Sequence, residues 1–128
     1  MRVGIQHGQH SQGAQIHAAV APQQGAVVIA KQHVNAFRET PLAQQLQQHG
    51  VAGVAVVGAM SHMCVDARVR AAADLRDTVT VLHDACATME LDVEGTKVPA
   101  ALVQTTMTTA FQFGHAAVRS TQAHLQGQ

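Results

Sequence analysis

Cys64 lies in the run Val54-Ala55-Val56-Val57-Gly58-Ala59-Met60-Ser61-His62-Met63-Cys64-Val65-Asp66, where an apolar, β-branched stretch gives way to a tight turn and then to residues that should open a helix. A thiol at a helix N-terminus meets backbone N–H groups that have no intrahelical partner, and it meets the positive end of the macrodipole. Both favour the thiolate and draw a cysteine pKa below its unperturbed value of about 8.5, so the residue type and its setting point to a nucleophile. Lys31 and Asp84 also fall at the ends of apolar runs, and in open parallel sheets sites form outside the carboxyl ends of the strands. The second thiol, Cys86, reads as a packing residue, and Asp84 reads as a cap or tie for its loop. His7, His10 and His17 are spaced by three and seven in a Gly- and Gln-rich stretch without an acidic partner. That spacing is not a ligand signature, so neither a metal nor any other cofactor is expected.

Positioning these groups falls to four short apolar runs, at residues 3–6, 26–30, 53–57 and 78–82, which read as buried strands. Helical patterns separate them. Thr40-Pro41-Leu42 opens one, with threonine as N-cap and proline in the first turn; Leu42, Ala43 and Leu46 form its apolar stripe, and Gly50 ends it. A second covers residues 65–75, with Val65, Val69, Ala72 and Ala73 on one face and Arg68 and Arg70 elsewhere. A third runs from about 98 to 113, beginning near Pro99 and stopping at Gly114, and residues 116–119 suggest a last short strand. Apolar strands interleaved with amphipathic helices predict βαβ units, hence an α/β, doubly wound, mainly parallel sheet covered on both sides.

Composition narrows the function classes. With 128 residues, 47% of them hydrophobic, the chain is expected to form a single domain, 1–128, with a core of Ala, Val, Leu and Met and only three Phe among the aromatics. Eight basic residues balance eight acidic ones, and no Lys or Arg cluster offers the footprint that a phosphate backbone requires, so nucleic acid is not an expected partner. The apolar runs fall far short of the ~20 residues that span a bilayer, and the N-terminus lacks a signal-peptide core. A cytoplasmic protein without membrane contacts, holding both cysteines as thiols, is the expectation.

Several spaced segments carry a resemblance: Val28-Ile29-Ala30-Lys31, Asn35-Ala36-Phe37-Arg38-Glu39-Thr40-Pro41-Leu42, Leu46, Gly50-Val51, Val56-Val57-Gly58-Ala59-Met60-Ser61-His62-Met63-Cys64-Val65 and Val81-Leu82-His83-Asp84-Ala85-Cys86-Ala87. In this order, over residues 3 to 118, the chain resembles the isochorismatase-like cysteine hydrolases. The resemblance implies a doubly wound sheet of six strands and an Asp, Lys, Cys triad that hydrolyses amides of small molecules. By it, Cys64 attacks the carbonyl carbon and Lys31 holds thiolate and carboxylate in register, its ammonium favouring the charged sulfur. It further implies a non-proline cis peptide at Ala59–Met60 and an oxyanion hole made by the backbone N–H groups of Met60 and Cys64. Asn35 and Phe37 fall in a loop that contributes to substrate pockets in that family, although Phe37 reads equally as a core anchor. His62 reads either as a pocket residue or as a solvent-facing turn histidine. The Asp-x-His-His metal arrangement of some nicotinamidases in the family does not occur here.

The family pattern opens with a hydrophobic strand that ends in the aspartate acting as general base. Residues 1–7 match the second strand instead, the one ending in a Gln-His pair, so the first strand and its helix are expected to be missing. A mis-set start codon, a fragment and a degenerate gene each account for that. Neither Asp66, which points to another side of its helix, nor Glu39, which precedes a helix near the Lys31 loop, stands in convincingly for the base. Cys64 argues against isochorismatase chemistry proper, since vinyl-ether cleavage in that subgroup proceeds without a cysteine nucleophile. The leading expectation is therefore a cysteine hydrolase acting on a C–N bond of a small-molecule amide, impaired by loss of the general base. The alternative is a non-catalytic homologue serving as an oligomeric or small-molecule-binding protein. By the resemblance, the chain assembles as a dimer or larger homo-oligomer.

Overall fold

Parallel pairing of short Val- and Ile-rich segments organises the chain. The computed structural model describes residues 1–8, 15–75 and 78–127, which fall into two compact units, Met1–Val51 and Ala52–Gln128.

In the first unit, β1 (Val3–His7) and β2 (Val27–Lys31) run parallel in continuous register from Val3↔Val27 to His7↔Lys31. Side chains alternate along β2: Ile29 and Lys31 are buried while Val28 and Ala30 are exposed. A 3-10 turn at Ala18–Val20 lies between the strands. Turns then lead to α1 (Leu42–Gln48), whose buried positions, Leu42 and Leu46, sit four apart on one face. The Thr40 hydroxyl accepts from Leu42 N at 3.3 Å, as a capping threonine should, while Pro41 occupies the cap position itself. Gly50, at φ +62°, closes the helix: Val51 N donates to Leu46 O at 3.0 Å and Gly50 N to Gln47 O at 3.0 Å. The left-handed glycine thereby satisfies the last carbonyls.

The second unit is a three-stranded parallel sheet in the order β3 (Gly53–Ala59), β4 (Thr78–Ala87), β7 (Ala117–Arg119). α2 (Asp66–Leu75) and α3 (Ala100–Gly114) pack on β4 and on each other, and α4 (Thr121–Gln126) also packs on β4. The core joins Val79, Val81 and Leu82 of β4 with Val65, with Val69 and Ala72 of α2, and with Val103 and Phe111 of α3. A hairpin, β5 (Leu91–Val93) and β6 (Thr96–Val98), turns through Glu94 and Gly95, both at positive φ. Two such residues define a turn whose twist suits a tight antiparallel connection.

The α/β class and the parallel pairing agree with the sequence, but three details differ. β2 and β3 bury one face only, with Val28 and Val57 half exposed; among the described residues, β4 alone has strand neighbours on both sides as well as three helices against it. β4 does not end at residue 82 but continues to Ala87, so Asp84 and Cys86 lie within the strand rather than beyond it. Its register against β3 breaks between Val56↔Val81 and Gly58↔Cys86. The helix carrying Cys64 also starts earlier than expected, through a π turn at Ser61–Val65 that leads into α2. Among the described residues no helix is long and apolar enough to cross a membrane.

Candidate active site

Each unit carries candidate groups of its own. In the second, β3 ends at Ala59 and the Ala59–Met60 peptide is cis. Met60 is extended, and its carbonyl accepts from Met63 N at 3.0 Å and from Val65 N at 3.1 Å. The second of these bonds spans five residues, which widens the turn from α to π. Cys64 is thus the fourth residue of a helical run that starts at Ser61, inside the first turn rather than at its cap. It retains 8% of its surface, whereas its neighbours Ser61 and Val65 retain none.

Polar contacts from distant elements hold this turn. The Ser61 hydroxyl lies 2.6 Å from Gln104 Oε1 on α3 and 3.2 Å from Ala87 O on β4. His62 Nδ1 is 2.7 Å from the Thr88 hydroxyl, so the half-buried imidazole is tethered to the chain just after β4. Asp84 accepts from both the backbone N–H and the hydroxyl of Thr121, each at 2.8 Å, so it ties β4 to the first residue of α4. These bonds hold its carboxyl below the usual carboxylate range.

Arg68, which sequence reasoning set aside as lying off the apolar face, also belongs to this neighbourhood. Its Nη1 donates to Val57 O at 3.4 Å, and its Nε is sealed from solvent with no hydrogen-bond partner among the described residues. Burial weakens its hold on its proton; charge on Cys64, and then on Cys86, works the other way. Cys86, opposite Gly58 in the sheet, has its thiol pushed up chiefly by burial. An orphaned donor of this kind has no one-dimensional signature, which is why the sequence hid it.

In the first unit, Lys31 closes β2 with 3% of its surface exposed. Its Nζ donates to His33 O at 2.9 Å and to Val34 O at 3.5 Å, and it lies 3.1 Å from His7 Nε2. An ammonium has no lone pair, so in this contact His7 Nε2 can only accept. The sequence predicts neither the carbonyl pair nor this histidine, although His7↔Lys31 follows from the β1–β2 register. Asn35 Oδ1 accepts from Phe37 N at 2.9 Å, so the side-chain oxygen shapes its own turn, and Phe37 beside it is half buried.

The two carboxylates closest to these groups in sequence are engaged within their own units. Glu39 lies 2.9 Å from His33 Nε2 and 3.5 Å from Arg38 Nε, and the hydrogen bond from His33 is the first cause of its lowered pKa. Asp66 accepts from Arg70 Nε at 2.8 Å, one turn along α2. No group of three His, Cys, Asp or Glu side chains converges among the described residues; His10 lies outside them.

Comparison with known proteins gives a consistent result. The family model for the isochorismatase domain matches residues 4–110. The isochorismatase family protein YddQ of Bacillus subtilis is 39% identical over 117 residues, 91% of this chain and 65% of that protein. Streptothricin hydrolase of Streptomyces noursei is 37% identical over 97 residues, 73% of this chain and 35% of that protein. The chain therefore spans less than two thirds of the length of these curated relatives. The crystal structure of an isochorismatase from Pseudomonas putida superposes with a TM-score of 0.87 at 30% identity, covering 94% of this chain and 66% of that one.

Proposed function

We propose, from the premise that this chain belongs to the isochorismatase family, that it carries the nucleophile of a cysteine hydrolase acting on a C–N bond of a small amide. The observation that supports this most is the place of Cys64, on the first helical turn after a parallel strand and still touching solvent. A relative that bears the name streptothricin hydrolase supports hydrolysis as the reaction class. In the proposed reaction the Cys64 thiolate adds to the amide carbonyl, and the C–N bond breaks as the amine leaves with a proton. Water then cleaves the thioester and regenerates the thiol. The N–H groups of Met60 and Cys64 are proposed as donors to the oxyanion, a role worth about 3 kcal/mol per donor in enzymes of this kind. Lys31 is proposed as the cation that favours the thiolate, and Asn35, Phe37 and His62 as substrate contacts.

Asp66 and Glu39 are tied to Arg70 and His33, which argues against either as general base. Residues 1–128 on their own are therefore proposed to turn over slowly, about 10² to 10⁴ below an intact triad. The test is single-turnover acylation with activated esters and a panel of small amides, comparing the wild-type chain with Cys64→Ala. A thioester on the Cys64 peptide that disappears in the variant supports the reading; equal turnover by both, or no acylation of Cys64, sinks it.

A further inference from the structure

We infer that Arg68 is a positioning residue for the nucleophile: its guanidinium, carried one helical turn beyond Cys64, is a second cation, besides the one proposed at Lys31, that stabilises the Cys64 thiolate as it forms in the reaction. This rests on the reading of Cys64 as nucleophile and adds a residue to it. Residues four apart share one side of a helix, so Arg68 extends from the turn that carries the thiol. The hydrogen bond from its Nη1 to Val57 O pins the group against β3, two residues before Ala59. Its Nε, sealed from solvent without an acceptor, is the anomaly that needs a cause. A buried donor left without a partner is costly, and a charge leaves water at tolerable cost only where an anion compensates it.

Among the described residues, the surrounding charges leave one good candidate for that anion. α3 and β3, both packed on this turn, carry no ionisable side chain. β4 brings His83, Asp84 and Cys86, of which Asp84 is held by Thr121. On the helical run itself, His62 is tethered to Thr88, Asp66 is matched with Arg70, and Asp74 lies six residues beyond Arg68. Burial pushes the Cys86 thiol up, which leaves Cys64, four residues before Arg68 on the same helical run, as the thiol better placed to carry the charge. Arg68 takes no proton in this scheme. The thiol proton goes to solvent, and the guanidinium lowers the cost of the charge left behind.

The experiment follows alkylation of Cys64 by iodoacetamide from acid to alkaline pH in the 128-residue chain, read on the Cys64 peptide by mass spectrometry so that Cys86 does not contribute. Arg68→Met is expected to slow alkylation about tenfold at neutral pH and to approach wild type in alkali, while Arg68→Lys keeps most of the rate. Arg68→Gln, of similar length, gives the neutral arm if Arg68→Met does not fold. A profile unchanged in the neutral variants overturns the proposal, as does Arg68→Lys being as slow as Arg68→Met. If the variants split as expected while no amide is ever cleaved, the hydrolase reading fails and the role of Arg68 stands.

Discussion

The Ser61 hydroxyl donates to Gln104 Oε1 at 2.6 Å, and the Gln104 amide donates onward to His83 O at 3.1 Å. Because a carbonyl can only accept, the second bond fixes which end of the Gln104 amide faces the serine. A buried residue of the turn that carries Cys64 is thereby held by α3 and β4 together. Gln104→Leu is expected to destabilise the chain by roughly 1–3 kcal/mol, since it strands a fully buried hydroxyl on its weaker contact to Ala87 O. A urea midpoint equal to wild type would show that the relay contributes nothing.

Lys31→Met removes the ammonium that joins His7 to the carbonyls of His33 and Val34. Three part-buried acceptors then lose a charged donor, for an expected loss of about 1–3 kcal/mol, and by the proposed function acylation of Cys64 slows as well. Denaturation and acylation measured on the same preparation separate the two effects.

Asp84→Ala deletes the tie between β4 and α4. The folded-state pKa of Asp84 lies below its ordinary value of 3.8, so its contribution is complete above that pH and fades as the pH falls toward the folded value. The difference in thermal midpoint between wild type and variant should be constant from neutral pH down to about 5 and shrink in stronger acid. A difference that grows on acidification would contradict this assignment.

The hairpin turn tests backbone conformation separately from packing. Glu94 has φ +51°, and Gly95 has φ +83° with open space around its Cα. Gly95→Ala should cost about 1 kcal/mol, and Glu94→Asn should recover about half as much, since asparagine tolerates this region better. Thermal melts of the two variants moving in the same direction would refute the turn geometry.

Much of the site was legible because it rests on local pattern. Runs such as Val27-Val28-Ile29 and Val79-Thr80-Val81-Leu82 mark strands, and the step from Gly58 to Val65 marks the strand-turn-helix around Cys64. What stayed hidden depends on partners far along the chain. The π turn is held by Gln104, 43 residues from Ser61, and His83-Asp84-Ala85 has no strand composition of its own. Glu94-Gly95 is a weaker hairpin signature than Asn-Gly, and α4 has no buried face to imprint a period. Arg68 is an arginine on a helix, which by default reads as solvated.

The offset between β3 and β4 gives one strand two loyalties. From Val56 to Gly58 the first strand advances two residues while its partner advances from Val81 to Cys86. Thr80 to Leu82 are also paired with β7, whereas Cys86 and Ala87 pair with the end of β3 that leads to the nucleophile turn. The residues between them are held from outside the sheet, His83 O by the Gln104 amide and Asp84 by Thr121, so the outer end of β4 leans on α3 and α4 where the inner end leans on β7.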